Sequence, residues 1–127
     1  LNTNFNNDEE VYAPINLSLF EWVLDNLIKN AMDSMEGKGA VAVSLVKKEQ
    51  QVIIDIKDEG KGISKVKQKT IFRPGYTTKK RGWGLGLSLS KRIIEDYHKG
   101  KIFVHESEIN KGTIIRIVLK QPGEKDA

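Results

Sequence analysis

Apolar residues in the first third of the chain recur with a helical period. Phe20, Val23, Leu24, Leu27, Ile28, Ala31 and Met35 share one face between Asn16 and about Glu36, which is the spacing of an amphipathic helix. Asn16 or Ser18 is available as an N-cap, and Gly37-Lys38-Gly39 ends the helix. The period then shortens. Residues 40–46 and 52–58 are β-rich runs separated by a polar turn, so they predict a hairpin.

Between Asp58 and Gly86 the chain is rich in glycine and charge with little periodicity, and only a short helix near Lys65 is expected. Loops of this length inside a compact domain are usually binding loops or lids. A second amphipathic helix is predicted from Leu85 to about His98, with Leu85, Leu89, Ile93 and Tyr97 at helical spacing and Gly100 as its stop. Residues 101–107 and 112–120 read as a closing antiparallel pair. The first ten residues form a tail or a weak lead-in strand, and 121–127 a second tail. These elements predict one α/β (α+β) domain over residues 1–127: a two-layer sandwich in which a mixed sheet is covered on one face by two long helices and a short one.

Composition narrows the chemistry. The 127 residues contain no cysteine, which excludes thiol catalysis, disulfides and cysteine-ligated zinc. No apolar run approaches the roughly 20 residues that span a bilayer, and no signal peptide opens the chain. A cytoplasmic domain is expected, with any membrane link through a longer parent protein, of which Leu1 in place of Met suggests this is a piece. The net charge of +4 is concentrated: residues 61–81 hold eight basic side chains and no acidic one, leaving 13 basic against 17 acidic elsewhere. One basic segment on an acidic body suggests a local anion partner rather than nucleic acid, which would also call for more interleaved aromatics than Tyr76 and Trp83.

Three motifs suggest what that anion is. Asn26, Asn30 and Asp33 stand at i, i+4 and i+7 along the edge of the first helix, where amide oxygens suit a hard cation such as Mg²⁺; an exposed polar stripe is the bland alternative. Asp58-Glu59-Gly60-Lys61-Gly62 follows a strand, so its carboxylate can accept a hydrogen bond from an exocyclic amine such as that of adenine while the glycines admit a flat ring; a simple turn is the alternative. Gly82-Trp83-Gly84-Leu85-Gly86 enters the second helix, where free backbone N–H groups suit phosphate. It matches neither the dinucleotide fingerprint nor a Walker A loop. A cation helix, an adenine turn and a phosphate lip in this order compose one nucleotide site.

These segments resemble the catalytic and ATP-binding domain of sensor histidine kinases, in the superfamily shared with DNA gyrase, Hsp90 and MutL. Asn26 to Ala31 is similar to the N box, Asp58-x-Gly60-x-Gly62 to the G1 box, Ile71 to Lys79 to the F box, and Gly82-x-Gly84-x-Gly86 to the G2 box, with Gly112-Thr113 as a last small motif. The resemblance implies a Bergerat fold with a mobile ATP lid. It implies that Asn30 holds Mg²⁺ with Asn26 beside it as the catalytic pair, and that Asp58, Gly60, Gly62, Ile63 and Thr113 surround the base. Phe72, Thr77, Thr78 and Lys79 would belong to the lid, and Gly82, Gly84, Leu85 and Gly86 to the phosphate lip. It further implies Mg-ATP as cofactor, a histidine-containing dimerisation and phosphoacceptor domain of the same parent as partner, and a response regulator downstream.

Two positions depart from the pattern. Where many histidine kinases carry a basic residue three positions after Asn30, this chain has Asp33, counted with the nucleotide-binding residues by position; the lid lysines are the replacement expected. Where gyrase-type relatives place a glutamate base, this chain has Asn26, and Glu21 lies about 140° away around the helix, so slow hydrolysis is expected. The alternatives are a protein serine kinase of the same superfamily and a nucleotide-sensing module without catalysis. His98 and His105 are expected to be ordinary structural residues.

Overall fold

The structure, a computed structural model, describes residues 2–5, 15–74 and 86–120. Helix α1 spans Leu17–Ser34, two residues short of the expected end. Asn16 is its N-cap, its Oδ1 accepting the Leu19 N–H at 3.1 Å, which satisfies one of the donors a helix start leaves orphaned. At the other end Glu36 and Gly37 turn to positive φ and the chain reverses. The face predicted from periodicity is buried: Val23 and Leu27 are 0% and 1% exposed, beside Phe20 and Ala31. Burial of such side chains contributes about 1.5–3 kcal/mol each.

The sheet has five strands, β1 (Asn2–Phe5), β2 (Ala42–Lys48), β3 (Gln51–Asp58), β4 (Lys101–Glu108) and β5 (Gly112–Lys120), in the spatial order β1-β2-β3-β5-β4. The edge strand β1 runs parallel to β2, and every other pair is antiparallel, so the sheet is mixed as expected. Strand alternation sets the inner face. Val52, Ile54 and Ile56 of β3, Ile117 and Leu119 of β5 and Ile102 of β4 are buried under the helices. The opposite face carries the Asp55–Arg116 pair, two parallel bonds of 2.8 and 2.9 Å.

The second helix differs from its expected form. Helix α2 covers Gly86–Arg92 and passes directly into a π turn over Ile93–Tyr97. Its buried residues are Ser90, Ile93 and Ile94, whereas Leu89 and Tyr97 of the predicted apolar stripe are 41% and 69% exposed. The wide turn rotates the last residues off that stripe and delivers His98 inward. There His98 Nε2 accepts the Asn16 N–H at 2.9 Å, and Nδ1 lies 3.0 Å from the Ile93 carbonyl oxygen. One buried imidazole thus ties the end of the second helix to the start of the first. Two short 3-10 turns, Lys65–Lys67 and Thr70–Phe72, follow β3, the second burying Ile71 and Phe72.

Candidate functional site

The inner face of β3 stays apolar for three alternate residues and then ends on a carboxylate. Asp58 is 7% exposed, and its Oδ1 accepts the Gly60 N–H at 2.8 Å. Burial pushes its carboxyl above the ordinary range, more than the backbone hydrogen bonds from Gly60 and Thr113 pull it down. Among the described residues no cation forms a salt bridge with it. Thr113 is its partner across the β3–β5 ladder and is 5% exposed. Alternation therefore puts both side chains on the helix side of the sheet.

The turn after Asp58 is braced from two sides. The Lys61 N–H donates to Ser34 Oγ at 3.2 Å, the Asn110 N–H donates to the Lys61 carbonyl at 2.9 Å, and the Ile63 N–H donates to Ser107 Oγ at 2.8 Å. Gly62, at φ +76°, packs so closely on the Glu108 carbonyl that a Cβ there has no room. The turn is therefore held in one shape by α1 and the β4–β5 hairpin.

At the other end of the site α1 meets α2. Asn26 Nδ2 donates to Ser90 Oγ at 3.0 Å, and Ser90 is fully buried. A Cβ built on Gly86 would lie 2.6 Å from Asn26 Oδ1, so the first residue of α2 rests against this carboxamide. Asn26 is thereby engaged between the helices. Asn30, one turn further along α1, is half-buried, and Asp33 is exposed. Phe72 is buried, with Lys91 Nζ of α2 5.9 Å from its ring centroid, in cation–π range.

The structure thus gathers Asp58, Gly60, Gly62, Ile63 and Thr113 at the strand ends and Asn26 and Gly86 at the helix pair, with Asn30 one turn further along α1. Thr77, Thr78, Lys79, Gly82, Gly84 and Leu85 lie outside the described residues. Three serines went unseen in the sequence: Ser34, Ser90 and Ser107. Each bonds a residue at least 27 positions distant in some contact, so no local pattern announces them.

Among the described residues no group of three or more His, Cys, Asp or Glu side chains could hold a metal, so a protein-only cation cage is lacking there. The fit is better to Mg²⁺, which takes one or two protein oxygens and completes its shell with phosphate and water; Asn30 carries a carboxamide oxygen on α1. Among the described residues no helix is long and apolar enough to cross a membrane.

Residues 16–123 match the family described as histidine kinase-, DNA gyrase B-, and HSP90-like ATPase. The chain is 40% identical over 97 residues to sporulation kinase C of Bacillus subtilis (strain 168), covering 76% of this chain and 22% of that protein. It is 46% identical over 98 residues to sporulation kinase E of the same organism, covering 76% and 13%. The chain therefore spans less than a quarter of these relatives. The solved catalytic domain of histidine kinase ThkA superposes with a TM-score of 0.82 at 28% identity, covering 94% of this chain and 78% of that one.

Proposed function

The chain belongs to the family of histidine kinase-, DNA gyrase B- and HSP90-like ATPases, and on that premise we propose that it binds Mg-ATP and donates the γ-phosphoryl group to a histidine on a separate phosphoacceptor domain. The whole of residues 1–127 serves as one ATP-binding catalytic domain of a larger two-component kinase, with a response regulator downstream. ATP use assigns it to the cytoplasm, with any membrane attachment through the parent.

The observation that carries the reading is the buried Asp58 carboxylate. A carboxylate removed from water with no cation paired to it among the described residues is costly and fits a site built for a ligand. Its free acceptor capacity suits the exocyclic amine of adenine, with Gly60, Gly62, Ile63 and Thr113 around the base. Asn30 would hold the metal, which when bound would neutralise phosphate charge. Phosphoryl transfer needs positioning and charge compensation more than covalent help. Gly86, with Gly82, Gly84 and Leu85, would face the phosphates, and Phe72 would anchor the lid that carries Thr77, Thr78 and Lys79. Asp33 adds no positive charge, which leaves that task to the lid lysines.

The acceptor lies elsewhere. His98 is buried with both ring nitrogens engaged, and His105 sits on β4 rather than on a helix. An amide at Asn26 that donates to Ser90 cannot remove a proton from water, which supports slow hydrolysis.

The test is calorimetric titration with ATP and Mg²⁺, followed by incubation with a separately supplied phosphoacceptor domain. Binding that Asp58→Ala removes, with phosphohistidine formed only when that domain is added, is the expected result. No heat with the wild type, or phosphohistidine on the 127 residues alone, would sink the reading.

A further inference from the structure

Helix α1 ends where the turn after Asp58 begins, and the last residues of the helix meet the backbone of that turn. Three successive N–H groups of the turn have assigned acceptors. The Glu59 N–H faces Met35 Sδ at 3.5 Å, the Gly60 N–H donates to Asp58 Oδ1 at 2.8 Å, and the Lys61 N–H donates to Ser34 Oγ at 3.2 Å. The middle group, which orients the carboxylate, is thus flanked by two that are held by the end of α1. A thioether is a weak acceptor, so the Ser34 hydroxyl is the stronger of the two anchors. An aspartate that bonds the N–H two residues on is a common turn motif; the anchor on either side is what ties this one to the rest of the fold.

Gly60 fits the same arrangement. Unlike Gly62, it does not have a positive φ, so backbone conformation does not require glycine there. Close approach does: a Cβ on Gly60 would collide with the Ser34 hydroxyl and would lie 2.8 Å from both the Ser34 Cβ and its carbonyl oxygen. Gly60 itself is buried, so the turn has no room to back away. Ser34 also stands four residues after Asn30, which stands four after Asn26, and the polar stripe of α1 therefore runs on to the turn beside Asp58. The helix face proposed to hold the metal and the turn proposed to hold the base are joined through this hydroxyl.

We propose that Ser34 is a positioning residue for the base: by holding the Lys61 N–H it fixes the turn whose Gly60 N–H orients the Asp58 carboxylate, so that the remaining lone pairs of that carboxylate meet the exocyclic amine of adenine. This rests on the nucleotide-binding reading above. The role is separable from packing, because it acts on one polar group of the ligand. A nucleotide without the amine gains nothing from an oriented Asp58 and does not sense Ser34.

The test is calorimetric titration of the 127-residue chain, in the presence of Mg²⁺, with ATP and with purine riboside triphosphate, which is ATP without the amine; thermal unfolding of each variant is the fold control. Wild type binds ATP more tightly. Ser34→Ala weakens ATP about fivefold, the scale of one neutral hydrogen bond, and leaves the amine-free nucleotide unchanged. Ser34→Cys, nearly isosteric but a weak hydrogen-bonding group, behaves as Ser34→Ala and serves if alanine is not tolerated. Equal weakening of both nucleotides, or an ATP affinity that does not change, overturns the role of Ser34 while leaving ATP binding intact. Equal binding of both nucleotides by the wild type overturns the pairing of Asp58 with the amine, and this role with it. No heat with ATP overturns the nucleotide reading itself.

Discussion

The two ends of the site are built by different means. At the strand ends, Asp58, Thr113 and Ser107 are fixed by ladder register, and the adjoining turn is bonded to both α1 and the β4–β5 hairpin. At the helix pair, among the described residues, the Asn26–Ser90 hydrogen bond and the close approach at Gly86 join the start of α2 to α1. Strand register specifies atoms over a whole ladder, because a slip would turn every side chain over. A helix–helix contact of this kind depends on a few polar groups and can be loosened singly. The end proposed to hold the base is thus rigid by construction, and the end proposed to hold phosphate is adjustable, as suits a region from which product would leave.

The largest effect is expected at the rigid end. Asp58→Ala should lower ATP affinity about a hundredfold, the upper range for a hydrogen bond to a charged group, by calorimetry. Asp58 also gives opposite pH signs. Its carboxyl is raised in the folded protein, so its contribution to the stability of the unliganded protein is fully present below the unfolded carboxyl range and is lost as pH rises through the raised value. ATP affinity runs the other way, falling as pH drops through that value because the protonated acid loses acceptor capacity. Asp58→Asn should abolish both slopes in unfolding and binding measured against pH.

Next comes Gly62→Ala. With φ at +76° and the Glu108 carbonyl in contact, the variant should lose about 2 kcal/mol of stability, seen as a lowered thermal midpoint, together with adenosine binding. At the helix pair, Asn26→Ala and Ser90→Ala should each weaken ATP about fivefold, as expected for one neutral hydrogen bond, and spare adenosine. The double variant should be no weaker than either single one, the signature of a shared contact. Losses that multiply, or that fall equally on adenosine, would erase the contrast between the two ends. The smallest effect belongs to Arg116→Ala on the outer face, where a partly buried pair with Asp55 should contribute under about 1 kcal/mol and leave ATP affinity unchanged.

Much of the fold was legible because it rests on local period. The α1 face, its Asn16 cap, the β2–β3 hairpin and the β4–β5 pair follow from spacings of two and 3.6 residues. Where a long-range contact competed, local reading failed. The stripe Leu85, Leu89, Ile93 and Tyr97 is correctly periodic for an α-helix, yet the π turn and the His98 bond to Asn16 select Ser90, Ile93 and Ile94 as the buried set. Similarly, Asp58 and Thr113 carried motif signals, whereas Ser107 had none, since its position depends on the unpaired His105.

Residue order alone determined the elements, the basic segment, the absence of thiol chemistry and the identity of the boxes, because periodicity, charge and glycine spacing act over a few neighbouring positions. Tertiary structure decided that Asn26 bonds Ser90, that a β-bulge at His105 brings Ser107 rather than Glu106 opposite Thr113, and that Asp58 is buried. Each of these depends on which distant backbone arrives next to it, and pairing register and helix packing are properties of the assembled layers.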